Sequence, residues 1–208
     1  YSGASVPFKY KGANQTELVT NGDCESGFTA GLADGWSEVG VHTAAQETTI
    51  KHGGSSSQKV TATDGSNLNG GFYNGVAFTE GKEYRYSGWA YSATASRSIT
   101  FNVRNNANGV EATETQSVTS GWTQFTGTFT ASATATTGDV YMVVTPTTSD
   151  VYYFDDISLV QIGAVAEYDG SGVGASKWYD NSGNGLDGTV SGGTTLENAN
   201  AVGVQRID

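Results

Sequence analysis

The stretch Val151-Tyr152-Tyr153-Phe154-Asp155-Asp156-Ile157-Ser158-Leu159 decides the reading of this chain. It is dense in aromatic and β-branched residues, the composition of a strand. Strict alternation puts Val151, Tyr153, Asp155, Ile157 and Leu159 on one face, apolar but for Asp155. A carboxylate among core side chains is destabilising unless it is paired, hydrogen-bonded or bound to a metal. Cations are scarce, with 10 Lys and Arg against 21 Asp and Glu. An oxygen-seeking ion such as calcium is therefore a candidate partner for Asp155, and hydration at the mouth of the strand is the alternative.

Upstream, the same strand signal recurs. In Tyr84-Arg85-Tyr86-Ser87-Gly88-Trp89-Ala90-Tyr91, alternation places Tyr84, Tyr86, Gly88 and Ala90 on one face and Arg85, Ser87, Trp89 and Tyr91 on the other. From Ile99 to Arg104, Ile99, Phe101 and Val103 should face a core while Thr100, Asn102 and Arg104 face outward. Phe125 and Phe129 share a face in the Trp122–Thr130 run, and Val140–Val144 is nearly continuous in apolar character, as a central strand would be. No helical period appears. The 29 Gly residues follow no collagen repeat and mark turns between short strands. These features predict an all-β sandwich of two antiparallel sheets. The 208 residues suffice for one good core plus appendages.

Charge and composition narrow the function. A net charge of -11 argues against nucleic acid or an anionic membrane as partner, and favours cations or neutral sugars. No apolar run approaches a membrane span. A single cysteine, Cys24, excludes an internal disulfide and reads as a small buried hydrophobe. His42 and His52 lack zinc-site spacing and read as surface residues. Trp36 reads as core more readily than as a sugar platform. The first residue is Tyr and no signal peptide is seen, the expectation for a processed product or excised segment. Asn14-Gln15-Thr16 forms a glycosylation sequon, relevant only in a host that glycosylates. Glu111 and Glu114 are the one carboxylate pair to consider for glycoside hydrolysis, but their Thr-rich polar surroundings read as solvated loop, so the chain is taken as non-catalytic.

The outward strips hold Arg85, Trp89, Tyr91, Asn102 and Arg104. Flat rings beside planar amide and guanidinium donors suit a sugar, the ring stacking on the C–H face while the donors bond hydroxyls. The alternative is a second layer packed onto those rings.

Residues 16–162 resemble the jelly-roll carbohydrate-binding modules attached to bacterial xylanases and cellulases. The resemblance is carried by Asn21-Gly22-Asp23-Cys24-Glu25, by Gly35-Trp36, by His52-Gly53-Gly54-Ser55-Ser56-Ser57-Gln58-Lys59-Val60, by Glu80-Gly81-Lys82-Glu83-Tyr84-Arg85-Tyr86-Ser87-Gly88-Trp89-Ala90, by Gly121-Trp122-Thr123-Gln124-Phe125 and by Phe154-Asp155-Asp156-Ile157-Ser158-Leu159. Each piece is weak alone; six in order are specific. The resemblance implies a structural Ca2+ joining the first and last strands, with Glu25 as the early ligand, Asp155 as the late one and a carbonyl of the Gly53–Ser55 loop completing it. Cys24 stands where the family usually has Phe. Either Asp155 or Asp156 can face the ion, depending on register.

The flanks differ in composition. Residues 1–15 read as an arm or linker, with a short strand over Val6–Tyr10. Residues 163–208 are a Gly-rich tail resembling the opening of a laminin-G or concanavalin-like sandwich, ending in a strand-like Val202–Ile207 run that could pair with another chain. Both flanks resemble parts of phage tail-fibre and virion surface proteins. The expected function is a calcium-stabilised glycan-binding module on an extracellular or virion surface. Its expected partner is a polysaccharide or cell-surface glycan, and other copies or fibre domains are expected to meet residues 1–15 and 163–208. The alternative is a structural or decoration subunit that keeps the fold for assembly.

Overall fold

A computed structural model of the chain describes residues 8–10, 16–40, 42–63, 70–105, 109–144, 147–163, 166–168, 176–181 and 185–189. The chain divides into a unit over Thr16–Ile162 and a second made of Tyr1–Gln15 with Gly163–Asp208.

In the smaller unit, β1 (Phe8–Tyr10) pairs antiparallel with β14 (Ala166–Tyr168), and β15 (Lys177–Trp178) with β16 (Gly188–Thr189). Lys177 bridges to Asp187 at 3.0 Å, and the Tyr168 and Trp178 rings tilt against one another. The tail run Val202–Ile207 and the Asn14 sequon lie outside the described residues.

The larger unit is a jelly-roll sandwich of two five-stranded antiparallel sheets. A small hairpin, β2 (Phe28–Thr29) with β3 (Leu32–Ala33), precedes β4 (Trp36–Val39), β5 (His42–Glu47), β6 (Ser57–Ala62), β7 (Gly70–Phe78) and β8 (Glu83–Ser92). Then come β9 (Arg97–Arg104), β10 (Val110–Val118), β11 (Thr123–Thr130), β12 (Ala135–Val144) and β13 (Val151–Ile162). The first sheet runs β10-β9-β12-β7-β4, the second β11-β8-β13-β6-β5. The Val140–Val144 run is central, as its apolar character required.

The core lies between the sheets. Tyr84, Tyr86 and Ala90 enter it from β8, Ile99, Phe101 and Val103 from β9, Phe125 from β11, Val140 and Met142 from β12, and Tyr152 and Phe154 from β13. Each fully buried large side chain contributes roughly 1.5–3 kcal/mol. Trp36 is core too, its indole N–H donating to the Asn21 carbonyl at 3.1 Å. Asn21 adopts φ 52°, the left-handed turn its Asn-Gly sequence favours.

Three expectations are corrected. Strict alternation fails in β13: a register shift between Asp155 and Ser158, with Asp156 at φ 48°, changes its parity. Tyr152, Phe154, Ile157 and Leu159 therefore face the core, while Asp155 pairs with the outward residue Trp89. The His42 side chain is buried, not superficial, and lies 3.9 Å from Glu38. Glu111 and Glu114 sit on the edge strand β10 rather than in a loop. Glu114 accepts the Thr126 N–H at 2.9 Å and Glu111 the Ser132 N–H at 2.7 Å, so both cover backbone donors at the β11 edge. Among the described residues, no helix is long and apolar enough to cross a membrane.

Candidate functional site

The outer face of the first sheet is assembled by alternation and register. On β9 the outward residues are Thr100, Asn102 and Arg104; the partners Asp139, Tyr141 and Val143 of β12 share that face. On β7 it is continued by Gly71, Tyr73 and Gly75. Ser37, Tyr73, Tyr141, Asn102 and Thr113 lie side by side across five strands. Beside them runs a shorter row of Gly75, Asp139 and Arg104.

Arg104 binds Asp139 through both carboxylate oxygens, at 2.7 and 2.9 Å, and its guanidinium carbon sits 4.5 Å from the Tyr141 ring centroid. The pair fixes the orientation of each group and neutralises the row. Burial, opposed in part by Arg104, raises the Tyr141 hydroxyl above its usual range and keeps it a hydrogen-bond donor. An open depression of about 470 Å³ is lined by Tyr73, Gly75, Ala77, Thr136, Gly138 and Asp139. Nothing lies within 4 Å of where a Cβ on Gly75 would stand, so its floor is free. A half-buried ring, hydroxyls and a carboxylate fixed by Arg104 around such a depression can grip a polar ring-shaped ligand.

The five residues expected to form one sugar site do not meet. Because β8 and β9 belong to opposite sheets, Asn102 and Arg104 face one side of the sandwich and Arg85, Trp89 and Tyr91 the other. One face of the Trp89 ring is already covered: His52 stacks on it with centroids 3.8 Å apart at 17°. Tyr91 packs against Trp122 and Tyr153, at 5.8 and 5.6 Å. Tyr73, Asp139 and Tyr141 were missed in the sequence. The outward period of Asp139, Tyr141 and Val143 was present there, but hidden by the apolar run around it.

The expected cation ligands converge on one loop. Asp155 is fully buried; its Oδ2 accepts the N–H groups of His52 at 2.8 Å and Gly53 at 3.1 Å, and its Oδ1 that of Asp156 at 2.8 Å. Glu25 Oε1 accepts the N–H groups of Ser55 and Ser56 at 2.8 and 2.9 Å, and Oε2 the Ser55 hydroxyl. The loop His52–Ser56 thus bridges Glu25 and Asp155, which stand far apart in sequence. Gly53 contributes its N–H to Asp155 here, where a carbonyl ligand was expected from this loop. Gly54, at φ +52°, passes so close that a Cβ would lie 2.4 Å from Glu25 Oε1. Asp156 bonds the His52 Nδ1 at 2.6 Å.

Amides satisfy these carboxylates, yet the charge is not neutralised. Burial pushes Asp155 up to about 6. Burial, followed by the charges of Asp155, Asp23 and Glu25, pushes up the Cys24 thiol, which is therefore inert. Among the described residues, no three His, Cys, Asp or Glu side chains form a metal-holding group. A cation here would draw on the Glu25 and Asp155 carboxylates, which the loop N–H groups hold in place. Oxygen donors alone, in a concentrated negative field, fit a hard ion such as calcium.

Comparison with known proteins bears on the fold and the family. The carbohydrate binding domain family matches residues 16–149. No curated protein matches the chain. Among solved structures, a xylan-binding domain (CBM22-1) from Paenibacillus barcinonensis is 17% identical, with a TM-score of 0.53 over 72% of this chain and 95% of its own. The N-terminal cellulose-binding domain of the Cellulomonas fimi β-1,4-glucanase C is 22% identical, with a TM-score of 0.54 over 71% and 98%. Two larger proteins contain the same fold. An arabinose-bound α-L-arabinofuranosidase (20% identity, TM-score 0.59) is matched over 70% of this chain but only 26% of its own length. The tailspike protein 4 of bacteriophage CBA120 (12% identity, TM-score 0.53) is matched over 70% of this chain and 21% of its own. At these identities the structures speak for the fold, and the family match covers well over half of the sequence: the chain belongs to the carbohydrate binding domain family.

Proposed function

We propose that this chain is a non-catalytic glycan-binding module whose binding surface is the outer face of the first sheet. The observation that carries the reading is the row Tyr73, Tyr141 and Asn102 beside the Arg104–Asp139 pair, of which Tyr73 and Asp139 line a depression of about 470 Å³. Tyr73 supplies a stacking ring, and Asn102, Thr136 and Asp139 supply hydrogen-bonding groups for hydroxyls. Because Asp139 occupies Arg104 and the chain carries a net charge of -11, the surface favours a neutral polysaccharide over an anionic one. The xylan-binding and cellulose-binding relatives suggest polysaccharides of those classes as the first ligands to try. Calcium bound between Glu25 and Asp155 would supply positive charge to a buried carboxylate and tie the start of the sandwich to its last strand. The setting proposed is extracellular, on a fibre or similar surface appendage, in keeping with the tailspike likeness.

Affinity electrophoresis through gels containing xylan or hydroxyethylcellulose tests the reading. Retardation of the wild type that disappears in Tyr73→Ala supports it. Unretarded migration across a broad panel of neutral glycans overturns it.

A second reading is favoured by one observation. In the smaller unit Trp178, Tyr179 and Leu186 are 40, 51 and 47% exposed, large apolar side chains that suit an assembly contact. In that reading the flanks join copies or neighbouring fibre domains and the sandwich is a spacer. Light scattering of the full chain and of a form lacking residues 163–208 tests it: an oligomer that dissociates on trimming supports assembly, and a monomer in both counts against it.

A further inference from the structure

Trp89 lies outward on β8, directly across from Asp155 on β13. The loop His52–Ser56 crosses this pair. Its first two N–H groups bond Asp155, while the His52 ring lies on the Trp89 ring at 3.8 Å and 17°. Trp122, just before β11, stands edge-on to the same His52 ring at 5.7 Å and 71°. Asp156 holds the ring's Nδ1 from β13 at 2.6 Å. One imidazole is therefore gripped from three directions, and the backbone that carries it faces the buried carboxylate.

We propose that Trp89, with Trp122 as the second jaw, is a positioning residue for the cation corner: the clamp on His52 keeps the backbone of residues 52–56 seated between Glu25 and Asp155. The consequence for calcium rests on the cation reading above; the clamp itself does not. The loop bonds both Glu25 and Asp155, and loops without packed anchors open locally even in a stable protein. A loop held in place before the ion arrives keeps the Glu25 and Asp155 carboxylates positioned at no ordering penalty, and groups that orient ligands typically tune metal affinity 10–100-fold. The same stack leaves one face of the outward Trp89 ring already occupied by His52.

Hydrogen exchange on the metal-free full chain tests the clamp, comparing wild type, Trp89→Ala and Trp89→Phe. The His52, Gly53, Ser55 and Ser56 amides should exchange about tenfold faster or more in Trp89→Ala and near the wild-type rate in Trp89→Phe, which keeps a stacking ring. Amides of Phe101 and Met142 should not change. Wild-type exchange of the loop amides in Trp89→Ala overturns the proposal, and so does equal acceleration of the loop and the core, which would make Trp89 a general stability residue. Calcium titration calorimetry on the same proteins separates the two claims. The clamp predicts roughly tenfold weaker calcium binding in Trp89→Ala with recovery in Trp89→Phe. Wild-type affinity in Trp89→Ala counts against it. A wild type that takes up no calcium refutes the cation reading and leaves the amide rates to decide the clamp.

Discussion

Arg104 holds Asp139 by two hydrogen bonds while its guanidinium rests over the Tyr141 ring, so one cation organises two of the groups on the open face of the first sheet. Both side chains of the pair are mostly buried, which lifts it above the usual weakness of surface ion pairs. Arg104→Ala leaves Asp139 unpaired and uncovers Tyr141. We expect glycan affinity to fall about tenfold and stability by about 1–2 kcal/mol, read by calorimetry and urea unfolding. Unchanged affinity would place the sugar elsewhere.

The second prediction concerns acid stability. Asp150 is buried, and its Oδ2 accepts Arg97 Nε at 2.7 Å, the Thr147 N–H at 2.7 Å and the Tyr152 hydroxyl at 2.8 Å. Burial acts to raise its pKa, but these donors outweigh burial and hold it below the ordinary value of 3.8. A carboxylate depressed on folding adds stability that is present above its unfolded pKa and is lost as pH falls through the folded one. Asp150→Asn should cost about 1–3 kcal/mol at neutral pH by weakening the acceptor shared by Arg97, the Thr147 N–H and the Tyr152 hydroxyl. It should also flatten the loss of stability below pH 3.8, measured by thermal melts across pH.

A third prediction follows from a backbone approach. A Cβ on Gly22 would lie 1.8 Å from the Ile157 carbonyl oxygen, where the Ile157 N–H donates to the Gly22 carbonyl at 2.8 Å. Gly22→Ala should therefore destabilise by more than about 3 kcal/mol, because backbone must move on both sides. Denaturant midpoints check it. Gly75→Ala, with open space at the same test, should cost about 1 kcal/mol or less in stability.

The edge of the second sheet gives a fourth. Glu114 accepts the Thr126 N–H, and Gln116 Nε2 donates to the Gln124 carbonyl at 2.6 Å, so side chains of β10 occupy groups that β11 would offer to another strand. The double change Glu114→Ala with Gln116→Ala should produce concentration-dependent association in light scattering, at a loss of about 1–2 kcal/mol of monomer stability.

Much of the fold was legible because both sheets bury one face each. The alternation of Tyr84 to Ala90 and of Ile99 to Val103 reads out directly as core. Two things escaped, for separable reasons. Parity in β13 depends on the bulge at Asp156, and a single left-handed residue leaves no periodic trace. The pairing of Asn102 with Tyr141, rather than with the Trp89 strand, is a matter of which sheet receives β9, and alternation is silent on that. The buried carboxylate was visible as an anomaly at Asp155; that amides of His52 and Gly53 meet it follows from a loop whose path the Gly-Gly sequence permits but does not dictate.

Calorimetric titration of a soluble xylan or cellulose oligosaccharide into the wild type, Tyr73→Ala and Tyr91→Ala addresses the central claim most directly. The open face of the first sheet predicts binding by the wild type and by Tyr91→Ala, and loss of at least tenfold in affinity in Tyr73→Ala. Retained binding in Tyr73→Ala, with loss in Tyr91→Ala, would contradict it and move the glycan to the opposite face of the sandwich.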